Sequence, residues 1–128
     1  MNEESARMME LARRDLRAAQ GMAGDTVAFT DEIFGFHAQQ AVEKACKAWI
    51  CGLGVVYPKT HDLDLLFHLL SESGVRVPME YEALLDLVDF SVQYRYEAFD
   101  ELPIDRRNTL LLVTRFIEHV AAWLANQE

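Results

Sequence analysis

Glycine and proline are scarce in this 128-residue chain, six and three respectively, so it lacks the breakers and turns that an all-β protein of this size needs. Cysteine is nearly absent: Cys46 and Cys51 are the only two. Five residues apart on one helix, they point about 140° away from each other, which excludes a bond within that helix, and they are not the CxxC of a redox or zinc site. Basic residues are few, 12 Lys and Arg against 21 Asp and Glu, for a net charge of -9. A protein that coats duplex DNA needs a broad cationic face, and that class is excluded. No apolar run approaches the roughly 18 residues of a membrane span. The first residues, MNEESARMMELARRDLR, contain no apolar stretch of the kind a secretory signal requires, so the cytoplasm is the expected location.

What is present is a folded domain's balance of 51% apolar and 26% charged residues. The length suits a single domain over 1–128 with one core. The acidic excess is local: residues 60–105 hold 11 acids and two bases, Arg76 and Arg95. Apolar residues recur at three- and four-residue intervals, which predicts an all-α chain, an antiparallel bundle of four to five helices.

Helix one is expected over Glu3 to Met22, with Met8, Leu11, Ala12, Ala18, Ala19 and Met22 on its stripe and Asp15 inside it. Helix two is expected from the turn at Gly24 and Asp25 to about Cys51, burying Phe34, Ala38, Ala41, Ala45, Ala48 and Trp49. A short third helix, His61 to Ser71, takes Thr60 as its N-cap. A fourth follows Pro78 with Tyr81, Leu84, Leu85, Val88 and Val92 as its core face. The last opens near Pro103 and buries Leu110, Val113, Ile117, Val120, Ala121 and Leu124. The alanine face of helix two, with Phe34, Phe36, Trp49, Phe116 and Trp123, predicts a homodimer, because these aromatics exceed what one small bundle needs inside.

The candidate site begins on helix two. His37, Gln40, Lys44 and Lys47 stand at i, i+3, i+7 and i+10 and form one polar stripe. It reads either as a solvated face or as an anion-binding one. Lys59 and His61 flank Thr60 at the expected start of helix three, where free backbone N–H groups attract phosphate. Arg95 and Tyr96 follow helix four; a buried Arg95 needs a carboxylate, and Asp15 is the natural partner. The four histidines are scattered, so no metal or other cofactor is expected. No nucleophile elbow, phosphate loop or HExxH is present.

Three strings in order, Phe36-His37-Ala38-Gln39-Gln40-Ala41-Val42-Glu43-Lys44, Pro58-Lys59-Thr60-His61-Asp62-Leu63 and Tyr94-Arg95-Tyr96, resemble the minimal HEPN domain (higher eukaryotes and prokaryotes nucleotide-binding) over nearly the whole chain. The resemblance implies a dimerising helical bundle that partners a minimal nucleotidyltransferase in a toxin–antitoxin pair. In an antiparallel bundle His37, Gln40, Lys44, Lys59, His61, Arg95 and Tyr96 are expected to meet at one cleft, a site for a nucleotide or RNA phosphate. Ribonucleases of the family need a His separated from the Arg by four to six intervening residues, near the third long helix. Here Arg95 is followed by Tyr-Glu-Ala-Phe-Asp-Glu-Leu, so a binding protein is expected rather than an enzyme. The alternatives are a metal-independent ribonuclease toxin using Arg95 with His37 or His61, and a purely structural partner subunit.

Overall fold

The computed structural model describes residues 1–91 and 104–127, and every regular element among them is helical. Four α-helices, α1 (Glu3–Met22), α2 (Asp31–Gly52), α3 (Leu63–Glu72) and α4 (Arg106–Ala125), are joined by a 3₁₀ helix, Met79–Phe90, between α3 and α4. Each α-helix starts on a polar cap: the side chains of Asn2, Thr30, Asp62 and Asp105 accept from the backbone N–H of Ser5, Ile33, Leu65 and Asn108. These bonds satisfy amides that have no partner within the helix.

The pairing of residues along the helices sets their directions. Asn2 meets Cys51, Ser5 donates to the Ala48 carbonyl, and Asp15 meets His37, so α1 and α2 run antiparallel. Arg13 pairs with Glu118, while Arg106 reaches the carbonyl of Met22, so α4 is also antiparallel to α1. Helices α2 and α4 therefore run the same way, and α3 with the 3₁₀ helix carries the chain back between them.

Helix α2 is the axis of the bundle, in contact with α1, α3, α4 and the 3₁₀ helix. Fourteen of its 22 residues are buried, more than one face can supply, so it is enclosed nearly all round. Its alanines Ala38, Ala41, Ala45 and Ala48 are fully buried within the chain, as are Phe34, Trp49 and Phe116. One chain thus consumes these residues, and they need no second copy to cover them. Phe36 and Trp123 are half-buried.

Several expected boundaries shift. Helix α2 begins at Asp31, behind its Thr30 cap, rather than at the Gly24 turn. The α1 face centres on Ser5, Met8, Met9, Ala12, Leu16 and Ala19, with Leu11, Ala18 and Met22 at its margins. On α4, Phe116 joins Val113, Ile117, Val120 and Leu124, while Leu110 and Ala121 are half-buried. Asp105 caps α4; Pro103 and Val92 lie outside the described residues.

The expected fourth α-helix is the 3₁₀ helix. Its buried residues are Tyr81, Leu84, Leu87 and Phe90, spaced by three, as a winding of three residues per turn requires. Leu85 and Val88, which α-helical spacing assigned to the core, stand half-buried beside that line.

Phe90 packs directly on α2 at Gly35, where an added Cβ would lie 2.4 Å from the ring. We expect Gly35→Ala to destabilise the fold by about 1 to 3 kcal/mol through overpacking, despite its better helix propensity. Gly21→Ala, with nothing within 4 Å, should be neutral or stabilising. Thermal melts of the two variants test this, and equal melting temperatures would contradict it.

Candidate functional site

Two carboxylates organise the polar side chains of α2. Asp15, from α1, accepts from His37 Nδ1 at 2.9 Å through one oxygen and from Lys44 Nζ at 2.5 Å through the other. His37 and Lys44 lie seven residues apart, two turns of one helix, so both reach the same point on the facing helix. This gives Asp15, the misplaced acid of the α1 stripe, partners that the sequence reading had not assigned to it. Arg95, proposed for that place, lies outside the described residues, as does Tyr96.

Glu43 organises the second cluster. Only 3% exposed, its carboxylate accepts from Lys47 Nζ at 3.0 Å, His61 Nδ1 at 2.9 Å, Gln39 Nε2 at 3.1 Å and Gln40 Nε2 at 3.4 Å. Gln39 Nε2 also donates to the His61 carbonyl at 3.3 Å, and Gln40 Nε2 to Gln39 Oε1 at 2.8 Å. Burial alone pushes the Glu43 carboxyl up, but the hydrogen bonds from His61, Lys47 and Gln39 outweigh it and hold the group below the usual carboxylate range. The Lys47 ammonium also sits 5.7 Å from the centre of the Tyr57 ring, a cation–π contact.

The predicted polar stripe therefore divides. His37 and Lys44 turn to α1, whereas Gln40 and Lys47 turn inward to Glu43 and are buried. The stripe is not a wet face, because elements packed around α2 cover it and its polar groups satisfy one another. Glu43 was absent from the candidate set. Its i, i+4 relation to both Gln39 and Lys47 was the available signal.

The anion site expected at the start of helix three also changes. Asp62, not Thr60, caps α3, and its carboxylate takes the Leu65 N–H. Thr60 Oγ1 instead accepts from the Asp62 N–H at 3.1 Å. The positive end of α3 thus already faces an acid, and Lys59 and His61 precede the helix. Lys59 joins neither carboxylate cluster; it lines a separate pocket with Glu4, Cys51 and Tyr57.

A carboxylate only accepts, so Nδ1 of both His37 and His61 carries the proton, and Nε2 is left for another partner. His61 is well placed for one, with 66% of its side chain exposed. Each cluster balances one acid with one lysine, so each histidine adds positive charge whenever it takes a second proton. Such an edge can accept a hydrogen bond or a proton at Nε2. Among the described residues no three His, Cys, Asp or Glu gather to hold a metal ion, and no helix is long and apolar enough to cross a membrane. Cys46 is buried beside Glu43, and burial pushes its thiol far up, which makes it a packing residue.

A family model described as "HEPN domain" matches residues 5–124. The crystal structure of TT1696 from Thermus thermophilus is similar over 95% of this chain and 98% of that one, with 27% sequence identity and a TM-score of 0.72. No curated protein matches the chain.

Proposed function

The chain belongs to the HEPN family, and from that premise we propose that it binds a nucleotide or a short single-stranded RNA, as the homodimeric partner of a minimal nucleotidyltransferase in a toxin–antitoxin-like pair. Membership carries a nucleotide- or RNA-related role at the family level. The observation that supports binding in this chain is the exposed imidazole of His61, held by a buried and already neutralised Glu43 so that Nε2 faces outward. An imidazole fixed in this way loses little freedom on binding, and its Nε2 accepts from a polar ligand's N–H or O–H. A site with few cations gives modest and salt-sensitive affinity.

Calorimetry at low salt should give micromolar or weaker dissociation constants for a mononucleotide and a short RNA, with Arg95→Ala weakening them while the protein stays folded. Absence of binding would sink the proposal. Co-expression with a neighbouring nucleotidyltransferase should yield a complex that purifies together, and sedimentation should give twice the 14.7 kDa chain mass. Separate elution, or a monomer, would remove those parts of it.

A second reading, the ribonuclease, is favoured by the free Nε2 edges of His37 and His61, since metal-free cleavage at a 2′-hydroxyl needs a group that moves a proton. Arg95 would be its cation. Because no His follows Arg95 at the family's spacing, slow or absent cleavage of RNA is the expected result. Robust cleavage abolished by Arg95→Ala would replace the binding reading with this one.

A further inference from the structure

We propose that the pocket beside Tyr57, in the loop between α2 and α3, receives the base of a mononucleotide, with Lys59 facing its phosphate; this rests on the nucleotide-binding reading above. The pocket measures about 490 Å³ and is lined by Cys51, Val55, Val56, Tyr57, Glu4 and Lys59. That volume lies in the range of small-molecule clefts. Val56 is 92% exposed and Val55 38%, so two consecutive valines stand in solvent on one rim. Single exposed apolar residues need no account, but two converging with an aromatic ring on a concavity form a surface that a flat apolar group can cover.

The walls are set in advance. The Val55 N–H donates to the Ile50 carbonyl and the Gly54 N–H to the Cys51 carbonyl, at a glycine whose φ is +81°. Asn2 binds Cys51 twice, donating from Nδ2 to its carbonyl at 3.2 Å and accepting from its Sγ at 3.4 Å. Tyr57 donates its hydroxyl to Glu4. A cleft fixed in this way loses little conformational freedom on binding.

Charge selects the ligand's polar end. Glu4 is matched by Arg7, whose Nε and Nη2 donate to its two oxygens at 2.8 and 3.0 Å. The bonds from Arg7 and Tyr57 hold its carboxyl down at about 2, so it is ionised and occupied. Lys47 is committed to Glu43. Lys59 lines the pocket without a hydrogen bond or ion pair among the described residues. The uncommitted charge on the rim is thus a cation, which fits an apolar body carrying an anion. Lys59 also stands two residues before His61, at most about 7 Å along the backbone.

The half-buried Cys51 thiol reports occupancy directly, because the other thiol, Cys46, is fully buried. The native protein is alkylated with iodoacetamide with and without adenosine monophosphate, and Cys51 modification is followed by mass spectrometry alongside calorimetry on the same sample. At about ten times its dissociation constant, adenosine monophosphate should slow the reaction about tenfold. Lys59→Ala should weaken the nucleotide by about fivefold, and Val56→Asp should abolish protection; both side chains are exposed, so the fold should be unaffected. Inorganic phosphate alone should give no protection. Heat of binding without protection of Cys51 overturns this pocket and leaves the nucleotide-binding reading standing. No heat and no protection overturns both. Equal protection by adenosine and its monophosphate removes Lys59 from the site.

Discussion

Replacing Lys47 by Met should lower the folding stability by about 3 to 5 kcal/mol, the scale for removing one partner of a buried ion pair. That is a large share of the roughly 5 to 15 kcal/mol a domain has. The methionine fills the space of the lysine stem, so the loss is electrostatic: Glu43 stays 3% exposed and keeps only His61, Gln39 and Gln40 as donors. Urea denaturation measures it, and a loss under about 1 kcal/mol would show that the remaining donors suffice. The double variant Glu43→Leu with Lys47→Met should regain much of the loss, because no charge is then left buried.

The same cluster fixes a pH dependence. Glu43 is held below its ordinary value of 4.5 in the fold, so the unfolded chain takes up its proton first as the pH falls. Its contribution is therefore complete above about pH 4.5 and is lost as the pH falls through the folded value. The advantage of the wild type over Glu43→Gln in urea midpoint should shrink on acidification. An advantage that grows in acid would reverse the assignment.

The second large effect is expected at Arg106, on the first turn of α4. Its guanidinium donates to Asp31 Oδ1 at 2.8 Å, the Met22 carbonyl at 3.0 Å and the Phe29 carbonyl at 2.6 Å, and it lies 5.2 Å from the centre of the Phe34 ring. One side chain thus ties the end of α1, the start of α2 and the turn between them to α4. Arg106→Leu leaves two carbonyls and a carboxylate without these bonds and should cost about 3 kcal/mol. Arg106→Lys should rescue little, because a single ammonium cannot replace a planar fork that serves three acceptors. Hydrogen exchange should show faster opening of residues 23–30 in both variants. A Lys variant as stable as the wild type would contradict this account.

The helical class, the limits of α1 and the family were legible in the sequence, because they rest on local periodicity and on motif order. The environment of the polar stripe was not. Helical spacing states which residues share a face, but not what covers it, and Gln40 and Lys47 are buried because other elements enclose α2. His61 and Glu43 are 18 residues apart, and no local pattern announces that they meet. Thr60 and Asp62 are both good caps, and only the path of the chain into α3 decides between them. In the segment Met79–Phe90, residues at spacing three and residues at α-helical spacing are both apolar, so the pattern fits either winding. Arg106 carried no signal, since Arg106 and Arg107 are alike in the sequence and only the first is placed over the Phe34 ring.

The 3₁₀ helix also sets a length. Twelve residues at about 2.0 Å each cover about 24 Å, where α winding at 1.5 Å would cover about 18 Å. The segment Met79–Phe90 thus reaches about 6 Å further than the same residues would as an ordinary helix, and this extra span carries Phe90 onto Gly35. Changes that usually strengthen a helix, such as alanine at its exposed positions, would here favour the shorter winding and draw the ring away from its seat. In this stretch of the chain, better helix formers work against the fold.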